Sequence, residues 1–314
     1  MSFYPLQIIH KSLDGIEVYR LILRPECISC ILTVRLRELR TCVRESSRAY
    51  ELSVRFLERA WRVFKDVREA TRCATELYRI VLELCPGVVD YYRDVKRRSI
   101  DYALKYYDAY KSLLDGLDGY DLFRIAVKIA ISGNLLDTGV AEYKPPEAIG
   151  LEEILSTPIA IDHTRKLYNQ LSSGGYRILY LLDNAGESVL DTILASVLRS
   201  YGNRVVGVVK SDPGFQNDVT ASDAEYAGLH KYFDRVMETG SSSASIHLDL
   251  VSREFLNELD TADIIISKGM AHYEYLTDIE EEIGKQVYYL LVPKCNVIAG
   301  CLGVSRYKYI VYTR

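Results

Sequence analysis

"ILYLLDNAGESVLDTILASVLRSYG", residues 178–202, decides how the second half of this chain is read. An apolar run stops at Asp183-Asn184. Beyond Glu187 the apolar residues fall at 189, 190, 193, 194, 197 and 198, the three-and-four spacing of one buried helix stripe, and Gly202 supplies a stop. The segment is therefore a strand running into a helix through Asp-Asn-Ala-Gly-Glu. Two readings of that junction stand. Asp and Asn cap helices and make Asx-turns. They also sit where open parallel sheets bind ligands, beyond the carboxyl ends of the strands.

The same alternation continues to the end of the chain. Strand-like runs fall at 177–182, 204–210, 263–267, 286–292 and 307–313, with helical segments between them. They are continuously apolar, as strands covered on both faces are. Strand and helix in alternation imply a parallel sheet with right-handed crossovers. The expected fold class is α/β, a Rossmann-like α/β/α sandwich with a mainly parallel sheet over residues 146–314. Residues 26 to about 145 read differently, as long amphipathic helices with Arg and Glu between the apolar positions. Pro145-Pro146 cannot lie inside a helix and marks the expected boundary of a mainly helical N-terminal domain, 1–145. A hairpin around Asp14-Gly15 fits residues 6–23.

Composition narrows the function classes. Of 314 residues, 48% are hydrophobic and 26% charged, ordinary for a globular protein with a sizeable core. The net charge of −4 offers no basic field for a nucleic-acid backbone. No apolar run approaches bilayer-spanning length, and the first residues lack a basic start followed by an apolar core, so neither membrane insertion nor a signal peptide is expected. The cytoplasm is the expected compartment. Scarce Asn and Gln beside plentiful Tyr, Ile, Arg and Glu fit a heat-adapted source. The tyrosines interleaved with basic residues over 90–110 are balanced by Asp and read as a packed helix surface, not a base-stacking platform.

Residues following the strand runs repeat one theme. Asp183, Asn184, Gly186 and Glu187 follow the first, Asn217 and Asp218 the second, Lys268 and Gly269 the third, Lys294 and Cys295 the fourth. Parallel strands bring these ends to one rim. Asp183, Asn184 and Asp218 offer only oxygen ligands, which suits hard divalent cations such as Mg²⁺ or Mn²⁺ with positions left open. Lys268 and Lys294 are point charges suited to phosphate, and the helix beginning near Glu187 adds backbone N–H groups and a positive dipole end. Taken singly, Asp183-Asn184 also reads as a cap and Lys268-Gly269 as a turn. Taken together they make a rim equipped for metal-assisted phosphoryl transfer to water.

The blocks "LLDNAGE", "NDVTASDA", "ISKGMAHYEYL" and "PKCNVIAGCLGV", together with "ISGNLLDTGV" at 131–140 and "ECISC" at 26–30, resemble those of the damage-control phosphatase family, in the same order along the chain. The resemblance implies an α/β/α domain with a helical partner. It implies metal-dependent hydrolysis of small phosphorylated metabolites, such as sugar phosphates, with Mn²⁺, Co²⁺, Ni²⁺ or Mg²⁺ as cofactor. Carried over by position, the metal ligands fall on Asp183, Asn184 and Asp218, and the phosphate-binding lysine on Lys268 beside Gly269. Lys294 lies near the same site, Glu187 orients substrate or water, and Asn134 and Asp137 reach in from the helical side. His272 stands where the family usually has Asn, which bears on substrate choice and pH optimum because histidine titrates.

Cys27 and Cys30 form half of a zinc pattern, open to burial, a second metal or redox role, or a disulfide. Cys295 beside Lys294 reads as a site wall. Two other functions fit a Rossmann-like sheet. One is an S-adenosylmethionine-dependent carboxyl methyltransferase, for which the glycine-rich turn after the first strand is missing. The other is a non-catalytic metabolite-binding protein.

Overall fold

The structure, a computed structural model, describes residues 8–11, 17–19, 23–136, 141 and 149–314. A short antiparallel pair, β1 (Ile8–Lys11) and β2 (Glu17–Tyr19), comes first. Five helices follow: α1 (Pro25–Cys42), α2 (Ser46–Asp66), α3 (Ala70–Leu84), α4 (Val88–Lys111) and α5 (Gly119–Gly133). Pro25 occupies the first turn of α1, where its missing N–H costs nothing. The chain then alternates: α6 (Leu151–Ser156), β3 (Ile159–Asp162), α7 (Thr164–Leu171), β4 (Arg177–Leu181), α8 (Ala185–Ser200), β5 (Arg204–Val209) and α9 (Ala221–Ala227). It closes with β6 (Arg235–Glu238), α10 (Arg253–Thr261), β7 (Ile264–Lys268), α11 (Gly269–Ile283), β8 (Gln286–Leu291), α12 (Asn296–Leu302) and β9 (Tyr309–Tyr312).

Strands β3 to β9 form one sheet in the order β3-β9-β8-β7-β4-β5-β6. The five from β8 to β6 are mutually parallel. From β4 the chain winds outward through β5 to β6, then returns to β7 on the other side of β4, so the sheet is doubly wound and its switch point lies between β4 and β7. Two details depart from the sequence reading. Strand β9 runs antiparallel to β8, with β3 parallel to β9 beyond it. Strands β3 and β6 gave no signal, because these edge segments of four residues each bury a single side chain and carry no continuous apolar run.

Side chains alternate between the two faces. Ile178, Tyr180, Val205, Val209, Ile264 and Ile266 pack under α4, α5 and α8. Leu179, Leu181, Val206, Ile265, Val287 and Tyr289 face α10, α11 and α12. A third apolar cluster joins α1, α2 and α3 to the start of α4, and it includes Phe215 and Ala244 from loops at the carboxyl edge of the sheet. The helices of the first half therefore have two positions. Helices α4 and α5 cover a sheet face, and α1 to α3 sit over the strand ends. The expected boundary at Pro145-Pro146 and residue Asp137 lie outside the described residues.

Gly186 explains part of the Asp-Asn-Ala-Gly-Glu junction. A Cβ there would lie 2.7 Å from Ser99 Cβ and 2.8 Å from the Ser99 carbonyl oxygen. The glycine lets the α4 backbone press against the first turn of α8.

Candidate active site

The loops after β4 and β5 are stitched together by their backbones. Asn184 and Asp218 pair as an isolated antiparallel bridge. The Ala185 N–H donates to the Asn217 carbonyl at 3.0 Å and the Val219 N–H to the Asp183 carbonyl at 2.8 Å. Asp183, Asn184 and Asp218 accordingly reach one cavity of about 380 Å³, which is also lined by Cys27, Cys30 and Glu274.

Hydrogen bonds fix which atoms of this set can serve a ligand. The Asn184 amide donates both to Asp183 Oδ2 at 2.9 Å and to Glu187 Oε2 at 2.9 Å. Its NH₂ group is thereby spent, and Oδ1, which accepts from Asn217 Nδ2 at 2.8 Å, is the side-chain atom that keeps a lone pair for a ligand. Asn134, at the carboxyl end of α5, repeats the arrangement. It donates to Asp183 Oδ2 at 3.1 Å and Glu187 Oε2 at 2.9 Å, while its own oxygen accepts from the Val292 N–H at 3.2 Å. The helical half thus reaches the strand ends through Asn134, clamping α5 to the ends of β4 and β8.

Gly269 is required where it stands. It has φ +77°, and a Cβ would sit 1.9 Å from Asp183 Oδ2. Only glycine allows the Asp183 carboxylate to lie against the first turn of α11.

Glu187 and Lys268 lie beneath this layer, not on the cavity. Both are fully buried. Lys268 Nζ donates to Glu187 Oε1 at 2.5 Å, to Asp191 Oδ1 at 2.7 Å and to the Ala130 carbonyl at 2.8 Å, which commits all three of its donors. The resemblance implied a phosphate contact for Lys268; the geometry gives it instead the task of holding Glu187, whose other oxygen holds both asparagines. Burial opposes its charge, but Asp191 and Glu187 outweigh that and hold Lys268 protonated. Burial pushes the Asp191 carboxyl up to about 7, against the pull of Lys268. Lys294 is also buried and is not among the cavity-lining residues.

His272 is buried away from the cavity. Its Nδ1 lies 3.0 Å from Ser245 Oγ, and burial together with nearby Lys210 depresses its pKa well below the ordinary value. These surroundings favour the neutral ring, which works against the titration that its place in the sequence suggested.

Among the remaining suspects, Cys27 and Cys30 both line the cavity, and burial raises the Cys27 thiol to about 11. Cys42 and Cys85 are joined in a disulfide, which removes both from any cluster with Cys27. Among the described residues no three His, Cys, Asp or Glu side chains are placed to hold a metal ion. The set on the cavity has two carboxylates, and its third donor is an amide.

Sequence reasoning missed three residues. Asp191 carried a signal, an acid beside the buried stripe of α8 one turn after Glu187. Lys210 was absorbed into the strand it ends. Its Nζ is buried, donates to the Ser245 carbonyl at 3.0 Å and lies 3.9 Å from Asp218 Oδ2. Burial lowers its pKa, offset in part by Asp218 and Asp183. Arg35 had no signal, being one of several arginines in "TVRLRELR".

Fold and site together define a doubly wound α/β protein with an oxygen-rich cluster at the carboxyl edge of its sheet, beside the switch point. The profile described as the damage-control phosphatase ARMT1-like domain matches residues 23–310, and the chain belongs to that family. It is 32% identical over 287 residues to an uncharacterised protein of Methanocaldococcus jannaschii, covering 90% of this chain and 92% of that one. It is 34% identical over 235 residues to a protein named damage-control phosphatase from Archaeoglobus fulgidus, covering 74% of this chain and 78% of that one. A DUF89 family protein from Pyrococcus horikoshii, known from a crystal structure, superposes with a TM-score of 0.78 at 23% identity, covering 94% of this chain and 99% of that one, and so shares the fold. No helix of the described residues is long and apolar enough to cross a membrane.

Proposed function

We propose that this chain is a divalent-metal-dependent phosphatase acting on small phosphorylated metabolites, sugar phosphates among them. The observation that carries the reading is the meeting of Asp183, Asn184 and Asp218 on one cavity, with backbone bonds fixing the two loops against each other. Family membership adds support.

The residues present fit a metal. Two carboxylates and an amide oxygen form a hard donor set that suits Mn²⁺, Co²⁺, Ni²⁺ or Mg²⁺ better than a soft ion. The spent amide of Asn184 directs its oxygen, not its nitrogen, to that purpose. When bound, such an ion polarises a phosphoryl oxygen and offsets charge in the transition state.

The chain's own residues do the rest. Glu187, fixed by Lys268, aligns both asparagines, and they in turn fix the Asp183 carboxylate. Asp183 is poorly suited to attack phosphorus itself, since Oδ2 already accepts two amide hydrogen bonds and Oδ1 would be the oxygen that holds the metal. Water is therefore the proposed nucleophile. A cavity of about 380 Å³ lies within the range of small-molecule sites and leaves room for a leaving group the size of a sugar.

The test is a panel of phosphorylated metabolites assayed for phosphate release with each of the four metals and with chelator. Metal-stimulated release from at least one small phosphomonoester is expected. No release under any metal would end this reading.

A further inference from the structure

The cavity is short of positive charge. Asp183, Asp218, Glu26 and Glu274 all line it, yet none of Lys210, Lys268 and Lys294 is among its lining residues. Arg35, from α1, is the one cation among the described lining residues. Its side chain is 2% exposed and stacks over the rings of Tyr78 and Phe215, with the guanidinium carbon 4.9 Å and 5.5 Å from their centroids. Phe215 in turn begins the turn that carries Asp218, through the Asp218 N–H to Phe215 carbonyl bond at 3.0 Å.

Arg35 is only half used by the protein. Nη2 pairs with Glu38 Oε1 at 2.9 Å. Nε and Nη1 are buried with no hydrogen-bond partner among the described residues. Leaving guanidinium N–H groups unpaired in a buried place is costly, more so than for a neutral group. Glu38 Oε1 also accepts from Tyr92 Oη at 2.5 Å and Gln216 Nε2 at 3.0 Å, so Glu38 is anchored and holds Arg35 from one side. Nη2 carries two hydrogens, so while one stays on Glu38 the other can join Nε or Nη1 in the paired hydrogen bonds by which a guanidinium binds a tetrahedral oxyanion.

We infer that Arg35 is the cation that meets the substrate's phosphoryl oxygens in this cavity, the post that sequence comparison implied for Lys268. The inference rests on the phosphatase reading for the identity of the anion. It gives α1, packed over the strand ends, a direct part in substrate binding. The competing structural account is that Arg35 and Glu38 serve only each other, since Glu38 Oε2 also lacks a partner and a bidentate pairing would take it together with Nε or Nη1.

The two accounts separate in a double variant. Arg35→Gln with Glu38→Gln leaves no uncompensated buried charge. Inorganic phosphate is titrated calorimetrically into the whole chain with Mn²⁺ present, and thermal melting followed by circular dichroism checks the fold. If Arg35 holds the anion, the double variant melts cooperatively and binds phosphate roughly tenfold more weakly or worse, the loss expected for a charge-assisted hydrogen bond. Unchanged affinity in the folded variant overturns the inference, and continued phosphate release by the same variant leaves the phosphatase reading standing. Absence of both phosphate binding and hydrolysis in the unaltered chain overturns both. Should the double variant not fold, Arg35→Lys keeps the charge beside Glu38 but loses the fork. It is expected to weaken phosphate binding, and an undiminished affinity there counts equally against the inference.

Discussion

Lys268 shows how much one side chain can carry without lining the cavity. With its three donors on Glu187, Asp191 and the Ala130 carbonyl, it neutralises two buried acids and sets the oxygen that orders both asparagines. Lys268→Met is expected to destabilise the protein by about 3–5 kcal/mol, because two carboxylates lose their buried counter-ion; urea unfolding measures it, and a loss below about 1 kcal/mol would contradict this role. Asp218→Ala should abolish metal-stimulated phosphate release while the protein still folds, at some cost in stability because buried Lys210 loses the carboxylate 3.9 Å from its Nζ. Glu274 gives a pH prediction. Burial, with Asp278 and Glu69 nearby, raises its carboxyl to about 7, so it is neutral below that pH and anionic above it. Since it lines the cavity, its ionisation repels a phosphorylated substrate, and KM is expected to rise as pH climbs through neutrality. Glu274→Gln should flatten that rise. At this scale the sequence displayed the residue types on the rim, and Asp183, Asn184 and Asp218 do share the cavity. It did not distinguish a lysine facing a ligand from one buried beneath the site, because that depends on what other elements place around the ammonium group.

Among the elements, α8 is the hub. Helices α4 and α5 both pack along it, and its first turn carries Glu187 and the glycine that admits α4. Gly186→Ala is expected to cost about 1–3 kcal/mol, as Ser99 on α4 has no room to give way without moving backbone; thermal unfolding reads this directly. The loop-to-loop bonds between 183–185 and 217–219 explain why adjacent strands can present acids from separate turns at one point. Periodicity and apolar runs exposed α8 and the five strands β4, β5, β7, β8 and β9, since these bury a stripe or a continuous run. It did not expose β3 or β6, whose pairing is decided by their neighbours in the sheet.

For the whole molecule, the Cys42–Cys85 disulfide closes a loop with a sequence separation of 43 in the helical cluster above the strand ends. Cys42→Ser with Cys85→Ser should lower stability by up to about 4 kcal/mol on the chain-entropy account, measured by guanidinium unfolding without reductant. Metal binding should couple to folding as well. The proposed ligands come from two loops that meet in the native state only, so Mn²⁺ at about 100 times its Kd is expected to add about 2.7 kcal/mol of stability, seen as a higher Tm. The gain should vanish with chelator and be absent in Asp183→Ala.

By itself the sequence determined the alternation of buried strands and striped helices, hence the α/β class, and the polar chemistry placed after each strand. Those properties are local: an apolar run or a repeat of three and four residues is complete within its own segment. Only the tertiary structure decided which charges meet solvent and ligand. Lys268 was drawn into an ion cluster by α5 and α8, His272 was sealed beside Ser245, and Arg35, from a helix more than a hundred residues from the sheet's acids in sequence, arrived on the cavity with half its fork unspent. The reason is that a buried charge takes its state from the nearest opposite charges and dipoles, and these come from distant parts of the chain.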